Sequence, residues 1–224
     1  MTPLSVLALG LFLGVRHATD ADHVVAVTTI VSRESSSRSA MWVGAVWGMG
    51  HTLTILLIGG AIILLGLVIP PRVGLAMELG VAIMLMVLGA MNVIGALRRI
   101  DDVELDARRA GSSPQRRLRS FVVGVVHGIA GSAAVALLVL STIQHAGWAL
   151  LYLAIFGLGT LVGMMLLTTA MALPLAAAAR RFGSLERVLS RVTGFASIAF
   201  GVFLAYQIGF VDGLFGDDPT FIPR

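Results

Sequence analysis

The sequence contains no cysteine, and charged residues make up only 12% of its 224 positions. Without cysteine there can be no disulfide, no thiolate metal site and no thiol electron relay. The H-E-x-x-H pattern of a helical zinc protease is also missing, which removes the commonest metal-dependent intramembrane hydrolysis. Lysine is absent too, so all 16 basic residues are arginine and the calculated pI is 10.9. These arginines sit in short segments between apolar runs, where membrane topology accounts for them. Nucleic acid is not an expected partner.

What the chain has is apolar length. Hydrophobic residues are 57% of it and the mean hydropathy is +0.94, too apolar for a water-soluble globule. A helical crossing needs about 20 apolar residues. Six stretches reach that length, at 3–31, 40–69, 74–97, 120–142, 147–179 and 192–211. The expected fold is therefore all-α, a polytopic membrane protein of six transmembrane helices. If the spans alternate, the connections at 32–39, 98–119 and 180–191 share one side and hold 2, 7 and 4 arginines, 13 in all. The opposite side holds Arg72 and Arg224, and Arg16 falls inside the first span. The positive-inside rule then puts both termini outside the cytoplasm of a cell (inner) membrane. The opening "MTP" carries no basic residue and no A-x-A site follows the first apolar run, so a cleaved leader is not expected.

The chain also matches itself. "GVRHATDADHVVAV" at 14–27 aligns with "GVVHGIAGSAAVAL" at 124–137, pairing Gly14 with Gly124 and His17 with His127. "WGMGHT" at 47–52 aligns with "FGLGTL" at 156–161, and "GVA" at 80 with "GFA" at 194. The offsets are 110, 109 and 114. Three spans per repeat is an odd number, so the halves insert with opposite orientation, as in many secondary transporters. The expected units are a first repeat at 1–97, a cytoplasmic linker at 98–119 and a second repeat at 120–224. Gly10 with Gly14, Gly44 with Gly48, Gly124 with Gly128 and Gly159 with Gly163 form G-x-x-x-G pairs suited to close helix packing.

Inside the first span stands "RHATDADH", residues 16–23. Each ionisable residue at the centre of a crossing costs on the order of 2.5 to 3.5 kcal/mol even on the lenient insertion scale. Stability does not call for that, so a site does. On a regular helix His17, Asp20 and His23 share an arc of about 120°, and Arg16 can neutralise Asp20 at i, i+4. Asp22 points away from this arc and can join it only where the helix unwinds. Imidazole and carboxylate donors without thiolate suit a divalent nickel, cobalt, zinc or manganese ion. His51 in the second span and His127, the repeat partner of His17, are further candidates. His145 in the turn "QHAG" reads as an exposed loop residue. Glu78 reads as a partner of Arg72, Asn92 as interhelical glue or cavity lining, and the ten methionines as packing.

"HATDADH" fits the H-x4-D-H signature of the nickel/cobalt transporter family (NicO or NiCoT) through His17, Asp22 and His23. "WGMGHTLTILL" resembles that family's Gly-His-Thr element through His51, and "VGVVHGIAGSAA" resembles its six-span, urease-accessory UreH-like branch within the LysE-like superfamily. The resemblance covers nearly the whole chain. It departs from the longer, eight-span members in having "GIAGSAAV" where they carry an acidic signature. The resemblance implies transport of Ni²⁺ or Co²⁺, with His17, Asp22 and His23 as the residues on which it depends.

The expected function is transport of such an ion by alternating access. The proposed site is His17, Asp20, Asp22, His23, His51 and His127 near the midplane, where the halves meet. No enzymatic activity and no prosthetic group are expected. The expected partners are the divalent metal ion and the lipid bilayer, with self-association compatible. By resemblance, delivery to urease or hydrogenase maturation is a further expected role. The competing readings are an exporter of another small solute or amino acid of the LysE-like type, and a haem-binding or other redox membrane protein using His51 and His127.

Overall fold

In the computed structural model the described residues are 3–32, 36–98, 117–130, 143, 145–181 and 185–221, and all regular structure among them is helical. α1 (Pro3–His17) and α2 (Ala21–Val31) are followed by α3 (Ser37–Thr54), which passes through a π turn at Ile55–Gly59 into α4 (Gly60–Leu65). α5 (Pro71–Arg98), α6 (117–130), α7 (Ala146–Arg181) and α8 (Leu185–Tyr206) complete the bundle, and a second π turn at Gln207–Val211 ends α8. α4 stops at Gly66, whose φ of 62° is the left-handed conformation that favours glycine. α5 then starts on Pro71, whose missing N–H costs nothing in a first turn.

The chain is an integral membrane protein. Among the described residues four spans are long and apolar enough to cross a bilayer: Ser37–Leu65, Pro71–Leu97, Ala146–Leu175 and Arg187–Val211. A fifth arises if Leu4–His17 and Ala21–Val31 form one crossing, bent by 53° at its break. The fourth expected span, 120–142, is helical over 120–130, and its remainder lies outside the described residues. Most of the expected linker lies outside them as well, and 117–119 belong to α6. Leu57, Leu166, Phe195 and Phe203 are more than half exposed, the apolar outer surface that lipid covers.

Close approach of backbones sets the helix order. Gly14 on α1 lies against the carbonyl of Phe156 and the amide of Thr160 on α7, while Gly124 on α6 lies against the carbonyl of Trp47 and the amide of His51 on α3. Gly159 faces the carbonyl of Leu11, and Gly50 faces that of Phe121. A side chain at any of these glycines would collide with backbone, so the small residues permit the packing that lipid alone does not drive. α1 and α7 run in the same direction, α3 runs against α7, and α5 runs against α8, where Ser197 Oγ donates to the Leu85 carbonyl at 2.8 Å.

A fully buried apolar cluster that includes Ala26, Val27, Val31, Trp47, Leu85 and Met164 fills the centre of the bundle. Beside it Asn92 joins three helices. Its amide donates to the Thr29 carbonyl at 2.8 Å, to Ser32 Oγ at 3.1 Å and to Thr193 Oγ1 at 3.3 Å. After α8 the chain folds back, so that the Phe221 ring covers Gly74 and Arg72 Nη2 donates to the Gly216 carbonyl at 3.2 Å.

Candidate metal centre

The break between α1 and α2 follows from its residues. Thr and Asp compete with helix hydrogen bonds through their own short side chains. Thr19 Oγ1 donates to the Arg16 carbonyl at 2.6 Å, and the amides of Thr19 and Asp20 close tight turns onto Arg16 and His17. Asp20 is extended, with φ −62° and ψ 150°, and α2 restarts when the Val24 amide reaches the Asp20 carbonyl. Asp22 then occupies the first turn of α2, where the exposed amides favour a carboxylate.

This break, and not a continuous helical face, gathers the site. The rings of His17 and His23 stand 4.7 Å apart centre to centre. His51 enters from α3 and His127 from α6, their centres 5.2 and 4.1 Å from that of His23. His51 is the fifteenth residue of the 29-residue span Ser37–Leu65, which sets the cluster halfway along the crossing. His23 and His51 have no exposed surface and His127 has 2%.

The contacts are short and specific. His17 Nδ1 donates to Asp20 Oδ2 at 2.7 Å, and His127 Nε2 donates to Asp22 Oδ2 at 2.7 Å. The backbone amide and the ring Nδ1 of His23 lie 2.9 and 3.2 Å from Asp22 Oδ1. His17 Nε2 stands 3.2 Å from His51 Nε2. Two nitrogens bound at about 2.0 to 2.1 Å to one ion, with an angle of roughly 90 to 110° at the metal, are about 2.9 to 3.4 Å apart. The observed spacing fits that range. His17, His23 and His51 bring ligand atoms within 4.8 Å of one another, as do Asp22, His23 and His127.

Three further nitrogens, His23 Nε2, His51 Nδ1 and His127 Nδ1, are buried without a hydrogen-bond partner. Each such group costs about 1 to 3 kcal/mol when left unmade. A divalent ion with affinity for imidazole is the ligand that a group of lone-pair nitrogens of this kind accepts.

Over 218 residues, 95% of each chain, the sequence is 34% identical to the urease accessory protein UreH of Bacillus sp. (strain TB-90). The chain belongs to the UreH family. No family model matches it, and no solved structure does.

In this UreH-family chain the cluster opens into a cavity of about 410 Å³, whose wall includes Arg16, His17, Asp20, Asp22, Glu78 and His127. Val81 on α5 and Phe200, Leu204 and Ile208 on α8 line the rest. Since α5 begins and α8 ends at the same end of the bundle, the cavity runs from mid-span toward that end. Three carboxylates against one guanidinium give it a negative field that favours cations.

Several expectations are corrected here. Asp20 pairs with His17 and not with Arg16, which is exposed on the cavity wall. Asp20 also falls outside both ligand sets, whereas Asp22 is drawn in by the break. Arg72 binds the Gly216 carbonyl, and Glu78 lines the cavity. Two other expectations hold: Asn92 is glue between α2, α5 and α8, and His145 is exposed at the start of α7. Two aromatic neighbours went unnoticed in the sequence. The Trp47 ring lies nearly parallel to that of His23, at 13° and 6.1 Å, and Phe156 lies 5.5 Å from His17. The signal for Trp47 was its i, i+4 spacing from His51, which puts both on one helix face.

Proposed function

We propose that the chain carries a divalent transition-metal ion, Ni²⁺ or Co²⁺, across the cell membrane, with the metal as cargo, no catalytic step and no prosthetic group. The observation that carries this reading is the mid-span convergence of four imidazoles and Asp22, three of whose nitrogens have no other partner, at the end of an acidic cavity. A metal-free solute exporter gives no reason for that donor set. The resemblance to the nickel/cobalt family, and a relative named as an accessory of urease, agree with delivery of the ion to urease or hydrogenase maturation.

Transport proceeds by alternating access between two inverted halves. Support comes from contacts that exchange under the sequence offsets. Gly14 plus 110 is Gly124 and Trp47 plus 109 is Phe156, and the Gly14 contact with the Phe156 carbonyl recurs as that of Gly124 with Trp47. Gly50 plus 109 is Gly159 and Leu11 plus 110 is Phe121, and that pair exchanges likewise. The ring of His17 beside Phe156 at 5.5 Å has its counterpart in His127 beside Trp47 at 5.9 Å. With the arginine-rich connections in the cytoplasm, the cavity opens to the outside, and the Trp47 layer closes the route inward.

The test is uptake of radioactive nickel into proteoliposomes. A His17→Ala, His23→Ala double variant that still reaches the membrane is expected to lose uptake. Unchanged uptake would overturn the reading.

A further inference from the structure

The ligands do not form one ring. His17, His23 and His51 make one set and Asp22, His23 and His127 the other, with His23 common to both. The rings special to each set are farther apart than either is from the shared one: the His51 and His127 centres are separated by 6.0 Å, against 5.2 and 4.1 Å to His23. Each set owns an unpartnered buried nitrogen, on His51 in one and on His127 in the other, and the shared His23 carries a third.

Access to the two sets also differs. Asp22 and His127 form part of the cavity wall, and the Asp22 side chain is 32% exposed. In the other set only His17 reaches that wall, its side chain 15% exposed, while His51 is absent from it and has no exposed surface. An ion arriving through the cavity meets the carboxylate first.

We infer that the chamber holds its ion in two mutually exclusive stations that share His23: an entry station of Asp22, His23 and His127, and an inner station of His17, His23 and His51. This rests on the metal-carrier reading above. Moving inward, the ion keeps His23 and exchanges one carboxylate and one imidazole for two imidazoles. The exchange is also a filter. Hard ions such as Mg²⁺ and Ca²⁺ prefer oxygen donors and gain nothing from an all-imidazole station, whereas nickel and cobalt do. Selectivity is then exercised at the second step, after the acidic cavity has collected divalent cations of every kind.

Two alternative stations and one shared site differ in how binding and transport respond to losing a ligand. With alternatives, either station alone still binds, but the ion cannot pass. With one site, binding and transport fall together. The experiment uses the purified full chain, with Ni²⁺ as probe in equilibrium titrations and in proteoliposome uptake. The variants are His51→Ala, His127→Ala and the pair combined, with His51→Gln and His127→Gln used where an alanine variant does not give folded protein. Each single variant is expected to bind Ni²⁺ within tenfold of the unsubstituted chain while transporting at less than a tenth of its rate. The double variant is expected to bind more than a hundredfold more weakly. X-ray absorption of the nickel-loaded His127 variant should find imidazole without carboxylate, and that of the His51 variant both.

A single variant that loses more than tenfold in binding, or transports at a tenth of the rate or more, overturns the two stations. So does a double variant that still binds within a hundredfold, or a carboxylate ligand retained without His127. An unsubstituted chain that binds no nickel overturns the metal reading itself, a distinct result.

Discussion

Asp20 Oδ2 holds His17 Nδ1 at 2.7 Å, while the other nitrogen of the same ring faces His51 Nε2 at 3.2 Å. A carboxylate on the far nitrogen fixes the tautomer and the plane of a metal-binding imidazole and raises its basicity, a role whose loss typically weakens binding about 10- to 100-fold. In a His127→Ala background, where only the station of His17, His23 and His51 is complete, Asp20→Ala is therefore expected to weaken nickel binding by that factor and leave the fold intact. Isothermal titration of the purified double variant against the His127→Ala chain checks it, and unchanged affinity would remove Asp20 from the site.

The glycine contacts make a contrast within one residue type. Gly14 and Gly124 abut backbone of a neighbouring helix, whereas Gly80 has nothing within 4 Å of where a Cβ would stand. Gly14→Ala and Gly124→Ala must push α1 from α7 and α6 from α3, since the obstructing atoms are carbonyls and amides that cannot rotate away. Both are expected to lower the melting temperature of the detergent-solubilised protein clearly, and Gly80→Ala to leave it within about a degree or two or raise it slightly, because alanine is the better helix former by about 1 kcal/mol. Equal effects at all three positions would mean that the close approaches do not hold the bundle together.

Glu78 lines the cavity but belongs to neither ligand set. Its charge acts on the approach of the ion and not on its final coordination. Electrostatic steering of this kind changes encounter rates and fades with salt. Glu78→Gln is expected to raise the KM for Ni²⁺ uptake severalfold at low ionic strength with little change in maximal rate, and the difference should shrink near 0.5 M salt. Uptake kinetics at two ionic strengths decide it.

Much of the site was legible because buried charge in an apolar chain is costly and conspicuous. His17, Asp22, His23, His51 and His127 were all named from that cost, from repeat pairing or from resemblance, and the structure brings them together. Four of the six expected spans, and a fifth if the bent pair is one crossing, were legible through apolar length. What escaped was geometry created by the break at 18–20. A helical wheel assumes an unbroken helix, so it paired Arg16 with Asp20 and turned Asp22 away. Three local hydrogen bonds from Thr19 and Asp20 undo the first inference and supply the unwinding on which Asp22 depended. The hydrogen bond from Arg72 to the returning C-terminal segment and the place of Glu78 on the cavity wall are tertiary events with no local signature.

Asn92 tests whether stability and metal binding are separable. Its buried amide donates to groups on α2 and α8 at 2.8 to 3.3 Å, nearer the arginine-rich ends of the helices than the histidine cluster. Removing it takes a donor from the Ser32 and Thr193 hydroxyls and one of two from the Thr29 carbonyl, which still accepts from Ser32 Oγ at 3.0 Å, a loss of about 1 to 3 kcal/mol where no water can replace it. Asn92→Ala is thus expected to lower thermal stability by that amount. Its nickel affinity should stay within about twofold of the unsubstituted chain, because Thr29, Ser32 and Thr193 are in neither ligand set. Thermal unfolding followed with and without nickel measures both at once: the midpoint should fall in each case, while the upward shift on adding metal stays the same. A smaller shift in the variant would tie this polar cluster to the metal chamber and make it part of the transport cycle.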